Sequence, residues 1–455
     1  MSHVTARRHV VVVGGGAAGC VVAAACSADP STGVTLLEAG PGGLGLSAPA
    51  GIGAPSFFTA LATPGRTWEH LMARRTARQA PAWYPRGRGL GGSSSVFGMM
   101  AMRGEPDDYD RWVAEGATGW SASEVWDTFD GLPVPLIPAT DEEHGPLARA
   151  VLAALPGHAH AVALARTASG RRASSAEVFL APVVGRANLA IRTETLVDRI
   201  LLDGRRAAGV RLANGEELTA DEVVVCAGAI HTPAILLRSG IDRPGIGAGL
   251  QDHPAFPIPL RLRVPPPSED SLPATVIASF SSGRSPADLQ LLVLDHLGPD
   301  RLGAAKVDVA LMDVRSRGRV RLASDDPEAD PVVEFDLLSD PEDLARLRSG
   351  IEMVRDALTR DPIRAVAEWD EPDVSDDAIR ASIGDYVHAC GTCRMGSPDD
   401  PRAVTDPLGR VLGVDGLRVA DASLFPTIPR ANTFLPTVMA AQHLCDRWEL
   451  LRTGP

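Results

Sequence analysis

Between His9 and Gly40 the chain sets uninterrupted apolar runs around a cluster of glycines, in the order HVVVV, GGGAAG, CVVAAACSA, GVTLLEAG. Short apolar runs without alternation read as strands buried on both faces, so this stretch predicts a parallel βαβ unit. Residues 186–230 have another texture. Alternating runs broken at Asp-Gly and Asn-Gly predict several strands in an antiparallel meander, ending in a buried strand from Glu222 to Cys226. The stretch 251–335 is proline-rich and alternating, with KVDVALMDV and RGRVRL, and predicts a second sheet. A helix follows, with Leu344, Leu347, Ile351, Val354 and Leu358 on one face. Pro341 falls in its first turn, and Ser339 and Glu342 have capping-box spacing. The chain closes with a strand (GLRVADA), a loop and a helix (PTVMAAQHLCDRW).

This order predicts an α/β protein in which a Rossmann-like cofactor domain is interrupted by a substrate domain. The cofactor domain takes residues 1–110, 170–250 and 397–455. Residues 111–169 and 251–396 form the substrate domain, with a mostly antiparallel sheet and flanking helices. No repeat of 20 to 50 residues interrupts the pattern.

The first unit carries the chemistry of a dinucleotide site. Gly14, Gly16 and Gly19 form G-x-G-x-x-G between a strand and a helix. The first glycine permits the tight turn, the second lets the backbone approach a pyrophosphate, and the third lets helix and strand pack closely. Glu38 ends the second strand about twenty residues on, where a carboxylate accepts from ribose hydroxyls. This unit alone does not separate NAD from FAD.

Composition narrows the partners. The 455 residues carry 57 acids against 44 bases, a formal charge of −13, which repels phosphate backbones and argues against nucleic acid. Lys306 is the single lysine. Six cysteines, mostly in apolar runs, fit a reducing compartment. The N-terminal apolar run is too short for a membrane span, and its glycines belong to the fold, so a cytoplasmic protein without a membrane anchor is expected.

Five further segments decide the cofactor. They are Pro85-Arg-Gly-Arg-Gly-Leu-Gly-Gly-Ser-Ser-Ser95-Val-Phe-Gly-Met-Met100, Gly228-Ala-Ile-His-Thr-Pro-Ala-Ile-Leu-Leu-Arg-Ser-Gly240 and Leu250-Gln-Asp-His-Pro254. His388-Ala-Cys-Gly-Thr-Cys-Arg-Met-Gly396 follows, and Gly416-Leu-Arg-Val-Ala-Asp-Ala-Ser423 with Ala431-Asn-Thr-Phe-Leu-Pro-Thr-Val-Met439 completes the set. Their sequences and order resemble the glucose–methanol–choline (GMC) oxidoreductase family, from about residue 9 to 448. The resemblance implies FAD and hydride transfer from an alcohol to flavin N5, giving an aldehyde or ketone, with oxygen or a redox carrier reoxidising the flavin.

Carried over position by position, the resemblance implies His388 as general base and Asn432 as partner of the substrate hydroxyl. The FAD contacts it implies are Gly14, Gly16, Ala18, Gly19, Glu38, Gly92, Ser93, Val96, Phe97, Met99, Val197, Asp421, Ala422, Asn432 and Thr433. Asn432 also has the sequence setting of a helix cap, Trp68 and His253 read as packing and turn residues, and His443 lies on the last helix without partners. Val96 stands where some members carry a histidine bonded to the flavin, so FAD is expected to be non-covalent. Phe97 replaces a polar residue, and the connection after Gly240 is short. Aromatic residues are only 4% of the chain, which argues against a wide aromatic-lined channel.

Other readings compete. Cys390 and Cys393 have the spacing of a redox dithiol, but they fall inside the histidine segment rather than at the start of a helix in a short βαβ unit. Beyond that pair and scattered histidines the sequence offers no metal site. A flavin-containing lyase of the hydroxynitrile type, a nicotinamide-dependent dehydrogenase and a flavin-binding scaffold are the alternative functions.

Overall fold

Five strands pair in parallel in the order Leu417–Val419, Glu222–Val225, Arg8–Val13, Thr32–Leu37, Leu189–Arg192. The computed structural model describes residues 8–268 and 270–448, so the first residues of the expected cofactor domain lie outside the described residues. Val10, Val11 and Val12 are fully buried, which is why this central strand carries no polar alternation. The glycine turn then leads into the helix Ala17–Cys26. Gly14 has φ +98°, and a Cβ there would lie 2.7 Å from the Cys226 carbonyl oxygen. A Cβ on Gly19 would lie 1.8 Å from the Gly14 carbonyl, so only glycine lets helix and turn meet.

The antiparallel meander is present but shorter than expected. Strands Val197–Asp203, Arg206–Leu212 and Glu217–Thr219 form it, with Gly204 and Gly215 at positive φ in the two turns. Leu189–Arg192, read as part of the meander, is instead the edge of the parallel sheet, with Ile191 opposite Leu36. Four apolar-rich residues carry too little periodicity to name their partner.

A second, six-stranded sheet is antiparallel. Its order is Ala367–Trp369, Ala255–Leu262, Ala304–Leu311, Leu289–Leu294, Val276–Phe280, Ala159–Ala161. Helix Pro341–Leu358 packs on one face, over the buried Val307, Val309 and Leu311. Gly350 permits this approach, because a Cβ there would lie 2.9 Å from Leu289. The helix cap is Asp340, whose side chain accepts from the Glu342 N–H at 2.8 Å, one residue later than the expected Ser339. The stretch 251–335 also serves two sheets rather than one. Gly318–Arg321 and Val332–Glu334 join Ala248–Leu250, Met72–Arg74 and Ala82–Trp83 in a separate five-stranded sheet.

Buried acids tie remote segments together. Asp108, in the helix Pro106–Ala114, accepts from the Arg430 N–H and Nε, each at 2.9 Å, and both side chains are fully buried. This pair holds the loop that presents Asn432. Replacing Asp108 with Ala takes the acceptor of Arg430 Nε and leaves Asp107 as the carboxylate beside the buried guanidinium, and denaturant unfolding should register a loss of about 3–5 kcal/mol. A loss below about 1 kcal/mol would mean that Asp107 alone satisfies Arg430.

Candidate active site

A cavity of about 590 Å³ runs from the glycine turn to the antiparallel sheet. At one end lie Gly14, Gly16, Ala17 and Ala18. The helix that begins there has no side-chain cap and no acid in its first turn, so its unpaired N–H groups face the cavity. Gly16 and Gly92 approach one another, and a Cβ on Gly92 would lie 2.7 Å from the Gly16 Cα. A bare helix N-terminus between two glycine backbones suits a pyrophosphate, so the residues present fit a dinucleotide.

Glu38 lines the same end. Its Oε2 accepts from the Gly15 N–H at 2.7 Å, and its Oε1 accepts from those of Gly40 and Gly89 at 2.8 Å. Oε2 therefore keeps acceptor capacity for a ribose hydroxyl. Asp421 ties the far side, accepting from Gly228 N–H at 2.8 Å, Thr232 Oγ1 at 2.6 Å and Ser423 N–H at 2.8 Å. Burial pushes its pKa up, against the pull of those donors.

At the other end His388 and His253 meet through their Nδ1 atoms at 2.9 Å. The donor is fixed by what lies beyond. His253 Nε2 is 3.1 Å from the Pro429 carbonyl, which only accepts, so that nitrogen carries the proton. Burial pushes the His253 pKa down to about 3 and holds that of His388 well below the ordinary value, helped by His253 and Arg86. Both rings are therefore neutral at pH 7. His253 Nδ1 accepts, His388 Nδ1–H donates, and His388 Nε2 is left bare. Asn432 Nδ2 lies 3.3 Å from that nitrogen.

Asp252 holds both histidine segments. It accepts from the N–H groups of His253 (2.8 Å), Tyr386 (3.2 Å) and His388 (2.9 Å) and from the Tyr84 hydroxyl (2.7 Å). Burial, then the nearby Asp385, pushes its pKa up. Ligand-type atoms of Asp252, His253 and His388 fall within 4.8 Å of one another, a grouping invisible as scattered histidines in the sequence. Hydrogen bonds among these residues account for it.

Most expected contacts line this cavity: Gly14, Gly16, Ala18, Glu38, Gly92, Ser93, Val96, Phe97, Val197, Asp421, Ala422, Asn432 and Thr433. Two do not. Gly19 acts through the packing described above, and the Met99 side chain is buried with Val162, Leu164 and Ile277 while Met100 faces the cavity. Met99 adopts φ 61°, a local reversal that sequence does not announce. Asn432 is not the helix cap; Thr433 precedes Phe434–Arg447, and Asn432 turns to His388.

Three further expectations are corrected. His253 is a partner of His388 rather than a turn residue, and its adjacency to Asp252 in the Leu250–Pro254 segment was the available signal. His443 is not isolated, since its ring contacts Thr128 Oγ1 at 3.2 Å and the Gly119 carbonyl at 2.8 Å. The cavity is aromatic after all: Phe57, Phe58, Trp68, Phe97, Tyr386 and Phe434 line it. Trp68 stacks on His231 at 4.1 Å. Cys390 and Cys393 are free and buried, and burial pushes both thiols up, opposite to the needs of a reactive dithiol.

A Rossmann-type sheet, an anion-ready glycine turn and a bare imidazole nitrogen opening on one cavity define a dinucleotide-dependent oxidoreductase. The GMC oxidoreductase models match residues 9–255 and 314–441, and the chain belongs to that family, whose cofactor is FAD. A 5-(hydroxymethyl)furfural oxidase from Methylovorus sp. (strain MP688) is 33% identical, over 83% of this chain and 86% of that protein. An oxygen-dependent choline dehydrogenase from Rhizobium rhizogenes is 31% identical, over 81% of this chain and 83% of its own length. Among solved structures, pyridoxine 4-oxidase from Mesorbium loti superposes with a TM-score of 0.89 at 28% identity, covering 97% of this chain and 99% of that one. Among the described residues no helix is long and apolar enough to cross a membrane.

The histidine pair makes two expectations measurable. Nitrogen NMR on 15N-histidine protein should find Nε2 of His388 unprotonated at pH 7, and His253→Phe should move the proton onto it; a bare Nε2 in the variant would remove His253 from the relay. Stability also follows. The unfolded chain binds protons on both histidines near pH ~6.5, whereas folded His253 refuses its proton until about pH 3. More protons on the unfolded state means that stability rises with pH across that window. The melting temperature should therefore fall as pH drops below ~6.5, and less steeply in His253→Phe.

Proposed function

We propose that the protein oxidises an alcohol to an aldehyde or ketone, with His388 as general base and Asn432 as the second partner of the substrate hydroxyl. The observation that carries this reading is the bare Nε2 of His388, held beside the Asn432 amide in the cavity that continues to the dinucleotide end. A hydroxyl placed between them donates its proton to Nε2 and accepts from Asn432 Nδ2. Bound FAD supplies the acceptor for the hydride that leaves the carbinol carbon. His388 is neutral at pH 7 because burial disfavours its charged form, so it is ready to take a proton. His253 accepts from His388 Nδ1–H, which keeps the imidazole turned toward the substrate. A positioned base of this kind contributes ~10²–10⁴ in rate.

The substrate end excludes water with apolar surface. Phe97 and Phe434 pack at 4.6 Å between ring centres, and Leu292 and Leu294 extend that wall. The small-molecule substrate is therefore an alcohol with an apolar body, and the electron acceptor is oxygen or a redox carrier. Val96 offers no nucleophile to the cofactor, so FAD is held without a covalent bond and should appear in the supernatant after acid precipitation. Six free, buried cysteines support a cytoplasmic setting. No observation favours the lyase reading.

The test is anaerobic addition of primary and secondary alcohols to the FAD-loaded protein. Bleaching of the flavin band is expected, and the speed of its return in air separates oxidase from dehydrogenase. His388→Ala should bind FAD and reduce it ~10²–10⁴-fold more slowly. In the wild type, kcat/KM should hold down to a pH below the ordinary histidine value of ~6.5 before its acid limb. A flavin that no alcohol bleaches, or an undiminished His388→Ala, would overturn the reading.

A further inference from the structure

Strand Ala304–Leu311 has one face under helix Pro341–Leu358 and the other toward the cavity. Burial on both sides calls for apolar residues, and Val307, Val309 and Leu311 supply them on the helix side. The cavity side breaks the rule. Lys306 and Asp308 stand there, with Lys306 Nζ 2.9 Å from Asp308 Oδ2, and both line the cavity. Asp308 is 6% exposed, and its pKa is pushed up by burial and drawn back by Lys306. The Lys306 side chain is 31% exposed and spends one of its three N–H donors on that contact, leaving two for the cavity.

The same strand measures the distance from the reacting centre. Ala310 packs against Ala255 and Tyr386, and the Tyr386 ring lies 5.5 Å from that of His388. At about 3.3 Å per residue, Asp308 lies ~7 Å and Lys306 ~13 Å along the strand from Ala310. Leu292 and Leu294 pair with Asp308 and Lys306 and give the intervening wall its apolar character. Arg301, in the turn before the same strand, also lines the cavity. Positive charge thus gathers at the hairpin end, remote from the histidines. Asp385, the other acid of this wall, is occupied by Arg75 at 2.6 Å.

We propose that Lys306, assisted by Arg301, binds an anionic tail, so that the substrate class is an elongated alcohol bearing a carboxylate at the end opposite its carbinol. This rests on the alcohol-oxidising reading for the carbinol end only. The carbinol lies at His388 and Asn432, the apolar middle follows Leu292 and Leu294, and the carboxylate accepts from the free Lys306 donors. Asp308 orients the ammonium.

The test compares ω-hydroxycarboxylic acids with 1-alkanols of the same chain length as reductants of the FAD-loaded protein. The wild type should favour the acids in kcat/KM, chiefly through KM, at the length that spans the wall. Lys306→Met should lower the acid-to-alkanol ratio about tenfold to a hundredfold, and Lys306→Arg should keep most of it. Alkanoic acids without a hydroxyl, titrated calorimetrically, should bind wild type and bind Lys306→Met more weakly by a similar factor. This arm needs no turnover, so it decides the tail site even if no alcohol reduces the flavin, a result that would sink the activity instead. A ratio unchanged in Lys306→Met, a wild-type preference for ω-amino alcohols, or no binding of any alkanoic acid would each overturn the proposal and leave a structural ion pair.

Discussion

A carboxylate removed from water persists only if donors replace its hydration, and Asp252 has four of them. The rest of the site depends on this exchange. The backbone N–H groups of His253 and His388 bind the same side chain, and this fixes the approach of two segments 136 residues apart. Only with that approach fixed do the two Nδ1 atoms meet. Only with them meeting is the His388 proton confined to Nδ1, the side that faces His253. The tautomer is thus a consequence of backbone hydrogen bonds to a buried acid, rather than of any property of the imidazole itself.

The same device recurs where the interrupted chain must be closed. Asp421 joins the C-terminal strand to the start of helix Gly228–Arg238, and Asp108 joins helix Pro106–Ala114 to the loop carrying Asn432. Each acid serves several donors from distant sequence. A parallel sheet built from separated segments has few local contacts to hold its pieces, and a multiply bonded buried carboxylate locates them in a way that apolar packing, which has no direction, does not. The loop from Pro429 to Asn432 gains most. Its carbonyl sets the His253 proton, its arginine is held by Asp108, and its asparagine reaches His388 Nε2.

Much of this was legible before any coordinates. The glycine turn, the parallel core, the Ala304–Leu311 strand and the helix after Pro341 follow from local rules of period and turn chemistry, and the structure has them. His388 and Asn432 stood out through their segments, and the structure brings them together. What escaped was partnership. Leu189–Arg192 reads as a strand whichever sheet it joins, and Gly318–Arg321 alternates like its neighbours yet pairs elsewhere. His253 looks like any histidine beside a proline until its ring is seen against His388. The low aromatic content was true of the chain and misleading about the cavity, because a global fraction says nothing of where the rings collect.

The sequence by itself determined the elements, the dinucleotide turn and the family, because each is written in residues close together along the chain. Tertiary structure alone decided which strands pair, which nitrogen of His388 is bare and which wall of the cavity carries Lys306. Those outcomes depend on contacts between segments a hundred or more residues apart. There the desolvation of a charge or the direction of a single N–H selects one arrangement, and neither quantity exists until the chain is folded.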